Sequence, residues 1–145
     1  MKIRRILVPI DGSDYSDRAL DLAIEMGLKF EAEIEILNVL SYPIVTFSPL
    51  PITLETEYYD QLKEIRKKLI NNAHNIVLNK APKLKVSSKC LDGRPGRKIL
   101  ERAEEGNFDM IIMGSRGLGG MEGLLLGSVS RIVVHGAKVP VTVVK

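Results

Sequence analysis

Residues 109–128 read DMIIMGSRGLGGMEGLLLGS. One aspartate precedes four consecutive apolar residues, 110–113. A short apolar run without alternation suits a strand covered on both faces. Glycines then stand at 114, 117, 119, 120, 123 and 127, followed by Ser128. From 129 to about 136, Val129, Ile132 and Val133 share one helical face. The stretch is a strand, a glycine-rich loop and a helix.

The same alternation extends in both directions. Strands are expected at 3–9, 33–40, 84–91, 109–113 and 141–144. Helices are expected at 16–29, 55–79, 97–105 and 129–136. Leu20, Ala23, Ile24 and Gly27 mark the buried stripe of the first helix. Leu62, Ile65, Leu69, Ala73 and Ile76 mark that of the second. Each helix must return the chain to the start of a parallel neighbour. The reading is α/β: one doubly wound sheet of five parallel strands, helices on both faces, in one domain spanning 1–145.

Composition agrees. The 145 residues are 45% apolar and 27% charged, which places the chain among ordinary globular domains. Twenty-one basic residues against 18 acidic give a net charge of +3, too mild to argue for nucleic acid. One cysteine, Cys90, excludes an intrachain disulfide and fits a reducing, cytoplasmic setting. At the strand end it reads as a small buried hydrophobe. The uncharged stretch 36–54 contains Asn38, Pro43, Pro49 and Pro51, which break a spanning helix, so no membrane segment is expected. Its part from 41 to 54 reads as a loop that either packs over the sheet or serves as a docking surface or lid. Lys63, Arg66, Lys67 and Lys68, with Glu57, Asp60 and Glu64, read as a solvated charged face. His74 and His135 have no partner at a spacing that suggests a ligand or base.

In open parallel sheets, ligands bind at the carboxyl ends of the strands. There the chain places Asp11-Gly12-Ser13, Asp92-Gly93-Arg94-Pro95-Gly96 and the long glycine loop. Glycines let a backbone approach a ligand closely, and a helix amino terminus attracts anions. Together they suit phosphate; they also suit a mobile loop whose Ser128 caps the last helix. Asp11 suits a ribose hydroxyl or the N-cap of the first helix. Arg116 suits a phosphate or open solvent. There is no G-x-x-x-x-G-K-[ST], and the third glycine of the dinucleotide signature is missing.

Gly114, Gly117, Gly127 and Ser128 instead give the spacing G-x2-G-x9-G-S. Here the chain resembles the ATP-binding branch of the universal stress protein family. The resemblance runs through ILVPIDGSDYSDRAL (6–20), GRPGRKIL (93–100), DMIIMGSRGLGG (109–120), GSVS (127–130) and VPVTVVK (139–145). It implies a Rossmann-like strand order 3-2-1-4-5 and ATP at the carboxyl edge. Pro9 and Asp11 would lie near the adenosine, and Val39 and Met113 would flank the adenine. Gly114, Arg116 and Gly117 would meet the ribose and phosphates. Gly127, Ser128, Val129 and Ser130 would give N–H and hydroxyl groups to the phosphates. Mg or Mn would bridge phosphate oxygens.

The closing strand Val141–Val144 is an apolar edge, a pairing hazard that a second copy across a two-fold axis resolves. The resemblance also implies a homodimer through this strand. The functional reading is a nucleotide-dependent switch or stress-response factor with a protein partner to read it. A slow ATPase or phosphoryl- or adenylyl-transfer enzyme would draw on Arg94, Arg116 and the serines. A dimeric scaffold without nucleotide is the third reading.

Overall fold

The computed structural model describes residues 1–41, 52–119 and 126–145, and of 52–55 the backbone only. Most of the proline-containing stretch 41–54, and Gly120 and Gly123 of the glycine loop, lie outside the described residues. Among those described, the strands are β1 (Arg5–Pro9), β2 (Glu33–Leu40), β3 (Val86–Asp92), β4 (Met110–Gly114) and β5 (Val141–Val144). The helices are α1 (Asp14–Phe30), α2 (Ile52–Lys80), α3 (Pro95–Glu105) and α4 (Ser128–Gly136). All strand pairs are parallel, in the order β3-β2-β1-β4-β5. This is the expected doubly wound α/β sheet, and β2 and β5 have the expected bounds. The other elements shift by one to three residues at one or both ends. Pro95, for instance, opens α3, because proline fits a first helical turn that needs no N–H donor.

Period-two alternation sorts the core into two layers. Ile6, Val8, Ile34, Ile36, Met110 and Ile112 point to one face, against Ala19, Leu20, Ala23 and Ile24 of α1 and Ile70, Ala73 and Val77 of α2. Leu7, Leu37, Ile111 and Met113 point to the other, against Ile99 and Ala103 of α3 and Val133 of α4. The stripe read on α1 is fully buried. The stripe read on α2 needs correction: Ile65 is 64% exposed and Ile76 39%, while Ile70, Ala73 and Val77 carry the contact. On a helix of 3.6 residues per turn, Ile65 and Ile76 both lie to one side of the face carried by Ile70, Ala73 and Val77, so the stripe read there is rotated off the sheet. Ile132 is likewise half exposed, and Val133 carries the contact of α4. Cys90 is exposed, not buried, because β3 is an edge strand. Arg66 leaves the solvated face and donates to Leu91 O at 3.0 Å and to Asp92.

One charge is buried in the second layer. Glu35 shares the face of Leu37 and accepts from Arg102 Nε at 2.5 Å and Nη2 at 2.6 Å. The Arg102 guanidinium lies 5.4 Å from the Phe108 ring centroid. Hydrogen bonding to Glu35 raises the guanidinium pKa above its ordinary value, against desolvation. Removing one partner strands the other, at a cost of about 3 kcal/mol. Glu35→Ala should therefore lower unfolding stability by about that amount in a denaturant titration. Glu35→Leu combined with Arg102→Met should recover most of the loss.

Candidate functional site

The strand order reverses at β1, between β2 and β4, and the loops after β1 and β4 part there. Ile10 is tied to β2 as it leaves the sheet. Its N–H donates to Leu37 O at 2.8 Å, and Asn38 Nδ2 donates to its carbonyl at 2.9 Å. Gly12 takes φ +86, a conformation that favours glycine, and the chain enters α1 with Ser13 as N-cap. Asp11 is therefore not the cap. Its Oδ1 accepts from Ser13 N at 3.0 Å and Ser13 Oγ at 2.6 Å, and its Oδ2 accepts from Leu118 N at 3.0 Å. The carboxylate latches the glycine loop to β1. A Cβ at position 117 would collide with Asp11 Oδ2, so the latch itself requires Gly117.

The other side of the crevice is organised by Ser115. Its N–H donates to Val144 O at 2.7 Å, joining the end of β5. Its carbonyl accepts from Gly127 N and from Ser130 Oγ, both at 2.7 Å. The Ser130 hydroxyl is thereby committed to backbone, since its second contact is Gly127 O at 3.0 Å. Gly127, not Ser128, is the N-cap of α4, and among the described residues no side chain caps that end. The alternative role read for Ser128 as a cap is not seen. The first N–H groups of a helix have no intrahelical partner, so the amino end of α4 keeps its affinity for an anion.

Between these walls lies a cleft of about 490 Å³. All eleven residues singled out in the sequence line it: Pro9, Asp11, Val39, Met113, Gly114, Arg116, Gly117, Gly127, Ser128, Val129 and Ser130. Ile10, Ser16, Leu37, Pro95, Ile99, Leu118 and Gly119 complete the lining. Leu37 had a signal, since it shares a strand face with Val39. Pro95 and Ile99 had a weaker one, four residues apart on α3. The latch from Asp11 to Leu118 had none, because 107 residues separate them. A second depression of about 580 Å³ lies at the opposite edge, where Lys2, Arg4, Lys83 and Lys85 stand beside Glu31, Glu33 and the carboxyl end of α1. Cations there offset the negative end of that helix.

The strand-end cleft is lined by apolar residues of the second core layer, Leu37, Val39, Ile99, Met113 and Val129, together with Arg116 and the amino end of α4. Among the described residues, no group of three or more His, Cys, Asp or Glu side chains is placed to hold a metal ion. Nor is any helix long and apolar enough to cross a membrane. His74 Nδ1 lies 2.9 Å from Ser88 Oγ on the outer strand β3, away from the cleft lining.

Residues 2–145 match the universal stress protein family. Universal stress protein YxiE of Bacillus subtilis is 33% identical over 97% of this chain and 98% of its own. Universal stress protein UspA from Lactobacillus plantarum superposes with a TM-score of 0.87 at 23% identity, covering 100% of this chain and 99% of that one. A universal stress protein solved in complex with cAMP superposes with a TM-score of 0.70 at 25% identity, covering 99% and 98%.

The latch has a direct test. Asp11→Ala removes the acceptor for Leu118 N. Hydrogen bonds to a carboxylate contribute about 1.5–3 kcal/mol, so hydrogen exchange at the Leu118 amide should speed up about tenfold or more. Amides of β1 and β4 should keep their protection.

Proposed function

Because the chain belongs to the universal stress protein family, we propose that its strand-end cleft binds an adenine nucleotide, ATP first among them. The observation that carries this reading is the amino end of α4, which no side chain caps among the described residues, with Gly127, Ser128 and Val129 lining a cleft of nucleotide size. Leu37, Val39, Ile99 and Met113 offer the apolar walls that a purine needs. Asp11 has about four lone-pair directions and uses three, which leaves one acceptor for a ribose hydroxyl. The phosphates would meet the N–H groups of α4 and the Arg116 guanidinium. A Mg or Mn ion would then be held chiefly by phosphate oxygens, where it would neutralise their charge. The relative solved with cAMP supports an adenine nucleotide as the ligand class.

The role proposed is a cytoplasmic switch. Nucleotide binding would favour one arrangement of the glycine loop, and a protein partner with different affinities for the two arrangements would read it. The chain would act as a homodimer through β5, which among the described residues pairs with β4 along one side only. The carbonyls of Pro140 and Val144 point to β4. By alternation the backbone of Val141 and Val143 points outward, free for a second copy. Val143→Pro removes an outward N–H without touching the β4 ladder. It should convert the dimer to a folded monomer in size-exclusion chromatography with light scattering; a native monomer or an unchanged dimer contradicts the interface.

The nucleotide itself is identified by denaturing the purified protein and measuring what is released, by mass and absorbance. About one ATP per chain is expected if hydrolysis is slow, as a switch requires. Released ADP or AMP would favour the slow ATPase or transferase. No release, and no binding of added ATP, would leave a dimeric scaffold. In Gly127→Val the new side chain meets Arg116 Cα, already 3.3 Å from a Cβ at that position. It should weaken ATP binding about tenfold or more, the equivalent of losing one charge-assisted hydrogen bond.

A further inference from the structure

Tyr15 stands in the first turn of α1, outside the cleft lining. The Arg18 guanidinium lies 4.8 Å from its ring centroid and the Arg116 guanidinium 5.9 Å. The base of the side chain packs on β4, since a Cβ on Gly114 would come within 2.7 Å of Tyr15 Cβ and 2.8 Å of its carbonyl carbon. Arg18 is itself held, because its Nε donates to Lys145 O at 2.8 Å. Arg116 shares the polar end of the cleft with the start of α4, its Cα lying 3.3 Å from where a Gly127 Cβ would be.

We propose that Tyr15 is a positioning residue that holds the Arg116 guanidinium at the phosphate end of the cleft and so makes the cleft prefer an adenine polyphosphate to a monophosphate. The inference rests on the nucleotide reading above and sharpens it. A single phosphate is satisfied by the helix N–H groups. Further phosphates add charge beyond their reach and need a cation. An arginine on a glycine-flanked loop loses rotamer freedom when it meets an anion, and one already stacked on a ring loses less. Arginine suits this because its planar group stacks and pairs at once, which lysine does not.

The test is calorimetric titration of nucleotide-free protein with ATP and with AMP. A cation–π contact at a partly exposed site corresponds to about a two- to fivefold change in affinity. Tyr15→Leu should weaken ATP by about that factor, leaving AMP nearly unchanged, and Tyr15→Phe should behave as the native chain. In an Arg116→Lys background, Tyr15→Leu should have no further effect on ATP. Equal weakening of ATP and AMP, an equal loss in Tyr15→Phe, or a full additional effect in that background overturns the proposal. Should Tyr15→Leu not fold, Arg116→Lys alone decides: loss of the preference for ATP supports the proposal, and an intact preference overturns it. A native chain that binds neither nucleotide overturns the nucleotide reading and this inference with it. One that binds both without preference overturns this inference alone.

Discussion

Every strand of the sheet runs in the same direction, and most of the molecule follows from that. A parallel pair cannot be closed by a hairpin, so each strand needs a crossover to bring the chain back. The crossovers are helices, and they cover both faces. The central strands then have no solvent face, which is why Ile6, Leu7 and Val8 are consecutive and all fully buried. The same rule sends the carboxyl end of every strand to one edge. Helix α1 packs on one face and α4 on the other. The loops that lead to them, after β1 and β4, separate and leave the crevice open between them.

The crevice is held by hydrogen bonds in which backbone groups take a large part. Ser115 joins β5, the glycine loop and α4 through one N–H and one carbonyl. Asp11 joins the loop to β1 through a carboxylate whose three bonds all come from the chain itself. Such bonds place the loop without filling the cleft. Glycine is demanded where these pieces approach most closely: at 114 by Tyr15, and at 117 by Asp11. The amino end of α4, in contrast, receives no side-chain cap among the described residues, whereas α1 is capped by Ser13.

The parallel sheet and its element order were legible in the sequence because each leaves a local mark; the residues named around the cleft came chiefly from the family resemblance, and Val39 and Met113 from it alone. Apolar runs such as 110–113, and glycines at a fixed spacing after a strand, need no knowledge of distant partners. What was not legible depends on partners far away in the chain. Glu35 looks like the polar member of an alternating strand until Arg102 comes up from α3 to meet it. The second helix has apolar residues on more than one stripe, and only the sheet decides that Ile70 and Val77 go in while Ile65 stays out. Cys90 looked buried because its strand was read without knowing that it lies at an edge. Ser128 looked like a cap because serine caps often; the helix begins one residue earlier than the apolar pattern implied.

The asymmetry of the cleft carries one more consequence under the nucleotide reading. Most of its apolar residues come from β1, β2, β4 and α3, with Leu118 and Val129 added by the loop and α4, and its cation and helix N–H groups come from the loop after β4 and from α4. A nucleotide has the same polarity, a neutral aromatic end joined to an anionic one. Reversed, it would bury phosphate against Leu37 and Val39 with no donors to replace water, and leave the purine beside a guanidinium and a helix terminus. Burying an unpaired charge costs far more than any contact the purine could regain. A bound nucleotide would therefore be oriented by strand order, base toward β2 and phosphates toward α4. That orientation would hold for a mononucleotide as for a triphosphate, since the apolar wall and the helix terminus are both fixed by the core and only the phosphate chain changes its reach toward Arg116.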